Sequence, residues 1–291
     1  MSGPDTVLER LARVTPLGVR FWDEATHAAI AEGLMVSVYP SGEPLRRTSA
    51  RPNSINTFVL PQLPGPRIVE EEFGEGDDEF WKQVHPRPFV IEVIDQRGSY
   101  QPFVMTVSLP FRGHAVPPFV ATGSPPSEVV PLFPTASRPI PAGIAVVRAD
   151  LQTPLPPRPG EPRRLRPASW AVLEAKVGTL PPVRGVADRE GRVAVLFPYP
   201  EPRPSPARPA SPPYPGGTSL QEQKWPVRLT VFYEPETPTP DIPDLRRTLD
   251  QLPAVASIED GGTRPLGDEE LRYGQELIVR SVVVTPAGSP P

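Results

Sequence analysis

The chain contains no cysteine, which excludes disulfide frameworks, thiolate metal centres, iron–sulfur clusters and cysteine nucleophiles together. Histidine is almost as scarce. The three present, His27, His85 and His114, lie 58 and 29 residues apart and have no H-x-x-x-H or HExxH partner, so they read as surface or hydrogen-bonded side chains rather than metal ligands. Charge of one sign is lacking too: 30 Lys and Arg against 34 Asp and Glu leave a net charge of -4, which provides no field for nucleic acid or an anionic membrane. The start, MSGPDTVLERLARVTPLG, has no apolar stretch of signal-peptide length, and nowhere do 18 apolar residues run together. The expectation is a protein made in the cytoplasm and not inserted in a membrane. The G-x-S-x-G, S-x-x-K, G-x-x-x-x-G-K-[ST] and G-x-G-x-x-G patterns are missing as well, so no catalytic residue, cofactor or small-molecule ligand is expected.

Proline is abundant instead. Its 47 occurrences in 291 residues, about 16%, are roughly three times average usage. A ring that fixes φ and removes an N–H cannot recur inside helices, so a mainly helical fold is excluded. Without a Gly-X-Y period the chain is not collagen-like, and the prolines belong in linkers, turns and strand ends. A hydrophobic fraction of 38% together with 22 glycines supports a packed core, and the length suits two domains.

The order of segments predicts an all-β protein. A short amphipathic helix is expected over 1–14, from Val7, Leu8, Leu11 and Val14 at helical spacing. Strand-like runs follow at 18–22, 34–39, 57–60, 89–94 and 103–109, each bounded by Gly, Pro, Asp or Asn, and they define a first antiparallel β-sandwich over 15–113. Residues 114–141 read as a Pro-rich extended linker, since nine prolines fall between 110 and 141. Strand runs resume at 144–148, 168–177, 192–197, 227–233 and 277–284, giving a second sandwich over 142–285. It carries a Pro-rich insertion at 198–217 and a short helix at 241–252, where Leu245, Leu249 and Leu252 share a face, and 286–291 is a tail. The order and spacing of runs in the two halves match well enough to suggest duplication.

Each candidate site has a plainer explanation beside it. The run Glu70 to Glu79 offers hard oxygen ligands for calcium but lacks the EF-hand spacing, and reads as a solvated loop. Trp22, Trp81, Trp170 and Trp225 are read as core anchors, with sugar platforms as the alternative. The arginines Arg158, Arg163, Arg164 and Arg166 form the one basic cluster and point to a salt-bridging contact with a protein neighbour rather than to phosphate. The linker is the most informative segment. Val129, Val130, Leu132, Phe133 and Ile140 are apolar in a stretch that cannot build its own core, so it either folds back on a sandwich or lies along a different subunit.

GVRFWDEATHAAIAEGLMVSVYP, followed by INTFVLPQLPG, resembles the carboxypeptidase regulatory-like or transthyretin-like β-sandwich repeat. Asn56 and Thr57 stand where that family has a glycine before the aromatic, and GVADREGRVAVLFPYP in the second half carries the turn more closely. The resemblance implies two Ig-like or transthyretin-like sandwiches without catalytic residues. RPFVIEVIDQRGSYQPFVMTVSLPFRG and the closing LRYGQELIVRS are further similar to accessory structural subunits of bacterial phage-tail-like contractile injection systems. That likeness implies a cap, collar, baseplate or decorating component, with other particle subunits as partners and release as part of a particle. The alternative is a β-sandwich module that recognises glycan or a cell surface.

Overall fold

The computed structural model describes residues 17–60, 85–109, 129–156, 160–201 and 223–286, and over these the protein is all-β with one short helix. The expected helix at 1–14, the acidic run 70–79, residues 114–128 of the linker, Trp81, Arg158 and residues 202–217 of the Pro-rich insertion lie outside the described residues.

In the N-terminal half, β1 (Gly18–Asp23), β2 (Ala28–Ile30), β3 (Leu34–Pro40), β4 (Thr48–Pro52), β5 (Thr57–Val59), β6 (Arg87–Asp95), β7 (Phe103–Leu109) and β8 (Val130–Pro131) form one eight-stranded sheet. The alternation of β1 and β7 turns Val19, Phe21 and Asp23, and Phe103, Met105, Val107 and Leu109, to the inside. Phe21 meets Phe58 and Phe103 edge-on, with ring centroids 5.4 and 6.2 Å apart. Because β4 pairs with both β3 and β5, the sheet is continuous and wraps one cluster.

The C-terminal half comprises β9 (Ile144–Pro154), β10 (Leu165–Pro167), β11 (Val172–Val177), β12 (Val183–Val186), β13 (Arg192–Pro198), β14 (Lys224–Phe232), α1 (Leu245–Leu249), β15 (Val255–Glu259), β16 (Thr263–Pro265), β17 (Asp268–Arg272) and β18 (Leu277–Thr285). A six-stranded sheet, β10-β9-β18-β15-β16 with β13 on β9, and a four-stranded sheet, β12-β11-β14-β17, share a second core around Leu151, Leu173, Val195, Phe197 and Val227. The expected helix over 241–252 shrinks to five residues. Asp244 caps it by accepting the Arg247 N–H at 3.0 Å, Pro243 precedes it, and Pro253 follows.

The pairing scheme repeats between the halves. β1–β5, β3–β4, β3–β6 and β6–β7 in the first correspond to β9–β13, β11–β12, β11–β14 and β14–β17 in the second, all antiparallel. Each half is then closed by a parallel strand: β8 on β1, β18 on β9. The corner turns match down to individual bonds. Asn53 N–H donates to Thr57 O and Asn56 N–H to Asn53 O, as Asp188 N–H does to Arg192 O and Gly191 N–H to Asp188 O. Asn56 takes φ 58° where Gly191 takes 79°, so asparagine fills the left-handed position that glycine occupies in the second copy.

The halves are also packed together. Trp170, Val172, Val186 and Leu245 enter the first core, and Val104 N–H donates to Pro243 O at 2.9 Å. β9 and β13 are buried on both faces, with Val146, Ala194 and Leu196 on their outer side covering Ala25 and the half-buried Ile140. At Gly191 a Cβ would collide with the Leu151 carbonyl oxygen on top of an unfavourable φ. Gly191→Ala is therefore expected to cost about 2 kcal/mol or more, and Asn56→Gly to change stability by less than about 0.5 kcal/mol, as read by urea unfolding.

Candidate functional site

Residues 129–135 run extended as a strap between two parts of the first sheet, and a turn over 135–138, with Arg138 N–H donating to Thr135 O at 3.1 Å, brings Arg138 back toward it. Val130 and Pro131 lie parallel to Phe21 and Trp22, and Leu132 N–H donates to Trp22 O at 2.8 Å. On the other side Gln101 N–H donates to Phe133 O at 2.8 Å and Thr135 N–H to Ser99 O at 2.9 Å, flanking a Tyr100–Pro134 bridge. Pro131 and Pro134 fall where no ladder bond is asked of their nitrogens. The receiving turn is itself fixed, because Asp95 Oδ2 accepts from Ser99 N–H at 2.6 Å and Tyr100 N–H at 3.1 Å.

The strap ends in a buried ion pair. Asp23, at the end of β1, is 2% exposed and Arg138 is 7% exposed. The guanidinium donates to both carboxylate oxygens, Nη2 to Oδ2 at 2.5 Å and Nη1 to Oδ1 at 3.2 Å. Asp23 also accepts from Thr26 Oγ1 at 2.7 Å, Tyr100 OH at 3.1 Å and Ala25 N–H at 3.1 Å, while Arg138 lies over the Tyr100 ring at 4.7 Å. Burial alone would raise the Asp23 carboxyl, but the hydrogen bonds from Arg138 and Thr26 and the charge of Arg138 together hold it below 3.8. Burial and the neighbouring Asp23 charge push the Tyr100 phenol up. Arg148, on β9, donates to the carbonyls of Ala136 and Arg138 and to Glu276 Oε2 at 3.0 Å, extending the network into the second half.

Of the residues singled out from the sequence as partner contacts, Val130, Leu132 and Phe133 are buried in the first core of their own chain, so their apolar surface is not free for another molecule in this state. Of 114–141, read as an extended linker that either folds back on a sandwich or lies along a different subunit, the stretch from Val129 to Thr135 folds back and joins the first sheet, because its apolar side chains find a core within reach. Val129 is half-buried beside it, and Ile140 packs between the halves. Arg163 and Arg164 are exposed and pair with Glu259 at 2.5 Å and Glu161 at 3.6 Å in the same chain, while Arg166 lies against the buried Tyr233 phenol. The structure thus gathers Val130, Leu132 and Phe133 and leaves the arginines apart from them. Asp23, Tyr100 and Arg138 were not singled out; the signal for Asp23 is the Asp-led turn DEAT, whose Thr26 hydroxyl returns to the carboxylate.

Elsewhere, an open groove of about 320 Å³ lies between β14 and the β15–β17 segment, and its two charged residues, Arg228 and Asp268, pair with each other at 3.0 Å. Among the described residues no three His, Asp or Glu side chains converge as a metal site, and no helix is long and apolar enough to cross a membrane. Comparison with known protein families, curated proteins and solved structures finds no match to this chain.

Removing Arg138 leaves a buried carboxylate unpaired, so Arg138→Ala is expected to cost about 3–5 kcal/mol in urea unfolding. The pH dependence follows from the direction of the Asp23 shift. A carboxyl whose folded pKa is depressed stabilises the fold above the unfolded value and loses that contribution as pH falls through the folded one. The difference in stability between the wild type and Asp23→Asn should therefore be constant near neutrality and shrink below about pH 4, which thermal melts between pH 7 and 3 will read.

Proposed function

We propose that this protein is a non-catalytic structural subunit of a phage-tail-like contractile injection particle, a cap, collar, baseplate or decorating component. In this view it consists of two Ig-like or transthyretin-like sandwiches that present Pro-rich segments to neighbouring subunits. The observation that supports it best is the strap. An extended, proline-bracketed stretch inserts Val130, Leu132 and Phe133 into a sheet, which is the docking chemistry the proposal needs elsewhere on the chain. Proline-rich segments such as RPSPARPASPPYP in the 198–217 insertion suit the same use, since a chain already held extended loses little entropy on docking.

The locked halves fit a rigid building block. The Arg148 network, the outer face of β9 and β13, and the entry of Trp170 and Leu245 into the first core all oppose relative movement. The glycan-binding alternative receives less support, since Trp170 and Trp225 are buried and donate their indole N–H groups to the carbonyls of Pro240 at 3.0 Å and Glu201 at 3.4 Å.

The test is co-sedimentation with particles assembled by the producing cell. The wild type is expected to band with them, and a variant lacking 202–217 to stay at the top of the gradient with its melting temperature within about 2 °C of the wild type. Particles that assemble and band without the wild-type protein would rule the proposal out.

A further inference from the structure

The turn between β3 and β4 holds a leucine out into solvent. Leu45 is 99% exposed, more than any other large apolar side chain among the described residues. The turn that carries it is fixed at both ends. Glu43 N–H donates to Pro40 O at 2.9 Å and Arg46 N–H to Glu43 O at 3.0 Å, while Pro44 sets φ at the second position of that turn. Arg47 then fastens the exit to Glu92 at 2.7 and 3.1 Å. The result is a rigid apolar knob, flanked by Glu43 and Arg46, which are exposed and pair with each other at 2.8 Å. The second half carries the opposite shape. Leu229 N–H donates to Gly267 O at 3.0 Å, and two residues further along β14 Ala254 N–H donates to Val231 O at 2.8 Å. At Thr230 these two neighbours part, because the chain after Ala254 turns into β15 of the other sheet, and the parting is the groove of about 320 Å³. Leu229, Val231, Ala254, Ala256 and Leu266 give it apolar walls that belong to the second core, and Arg228 and Asp268 stand exposed at its rim. Its room shows at Gly267, where a Cβ would meet no atom within 4 Å beyond its chain neighbours.

We infer that Leu45 of one molecule seats in the groove between β14 and the β15–β17 segment of a second copy. Burial of the leucine against apolar walls supplies the attraction, and a knob already held in place gives up little freedom on seating. Charge selects the occupant. The knob brings one acid and one base, Glu43 and Arg46, to a rim that also has one of each, Arg228 and Asp268. A seated leucine lets Glu43 meet Arg228 and Arg46 meet Asp268, so two exposed pairs within chains are traded for two between chains and no charge is left alone. Within one chain the leucine is exposed while the groove stands open, so the contact is one between molecules. Each copy offers one knob and one groove. A single such contact buries far less than the roughly 1,200 Å² of a stable complex, so it is weak in solution and grows with concentration. The inference goes beyond the particle assignment and does not require it, so either can fail without the other.

Sedimentation equilibrium of the full-length chain between about 10 μM and 1 mM decides it, since a contact of roughly millimolar strength populates that range. The wild-type weight-average mass is expected to rise about 1.5-fold or more above that of one chain by the upper concentration. Leu45→Ser removes the knob and leaves the groove; Gly267→Trp fills the groove and leaves the knob. Each alone is expected to stay at the mass of one chain. Mixed in equal amounts they give a two-chain species, because one supplies the groove and the other the leucine. Arg228→Glu, an exposed change that sets like charge against Glu43, serves in the same mixture if Gly267→Trp does not fold. A wild type that keeps the mass of one chain throughout, a Leu45→Ser variant that associates as the wild type does, or a mixture that stays monomeric while the wild type associates would each overturn the inference.

Discussion

Asp23 and Arg138 each need the other in order to be where they are. A lone carboxylate or guanidinium so far from water carries a desolvation penalty of several kcal/mol, and only the two-point contact, with Thr26, Tyr100 and the Ala25 N–H filling the remaining acceptor positions, offsets it. The pair is weak evidence for stability as such. It is strong evidence for register, since residue 138 has one place to be, and this sets which strap residues reach the core. A slip by one residue would turn Val130 and Leu132 outward and place Pro131 where Leu132 donates its backbone N–H.

The same pair connects the halves. Arg138 contributes its side chain to the first sheet and its carbonyl to Arg148 on β9, and Arg148 in turn holds Glu276 before the strand that closes the second half. One ion pair at the end of β1 is therefore read out, through a carbonyl and a second guanidinium, at the closing strand of the other repeat. Below that network Ala25, Val146, Ala194 and Leu196 pack as a small apolar cluster, which explains why β9 and β13 are buried on both faces rather than one.

Much of this was legible in the sequence. Runs with β-branched residues at alternate positions, such as LMVSVY and FVMTVSL, became β3 and β7 at nearly the expected limits, and the order of segments that suggested duplication reappears as a repeated pairing scheme. Strands β2, β4, β10, β12, β15, β16 and β17 were not anticipated, because runs of three to five residues interrupted by charged or small side chains carry no period that can be recognised. Continuous burial was there to be read: VAVLF in β13 has no polar position, and a strand without one has no solvent face. The strap reads from the sequence as an apolar stretch that needs another surface, and folding back on the first sheet is the one of the two readings the structure shows; where it docks is not legible, since two paired residues between prolines look like a spacer until the other half of the ladder is known. Its anchor, Asp23, sits 115 positions from Arg138, and no local pattern reveals an ion pair of that separation.

The prolines resolve into the same logic. Within the strands they sit mostly at ends, as Pro40, Pro52, Pro154, Pro167, Pro198 and Pro265 do, where the ladder stops. Pro226 lies inside β14 but opposite Glu270 of β17 only, one residue beyond the last pair with β11, so the missing N–H faces no acceptor there. In the strap the two prolines alternate with the residues that do bond: Leu132 donates, Phe133 accepts, Thr135 donates, and Pro131 and Pro134 stand between them. A flexible sequence would make the same hydrogen bonds at a greater loss of chain entropy, whereas one whose φ angles are already set gives up less on seating. That saving adds to the burial of Val130, Leu132 and Phe133 and to the Arg138–Asp23 pair in seating so short a closing strand, two residues where its counterpart has nine.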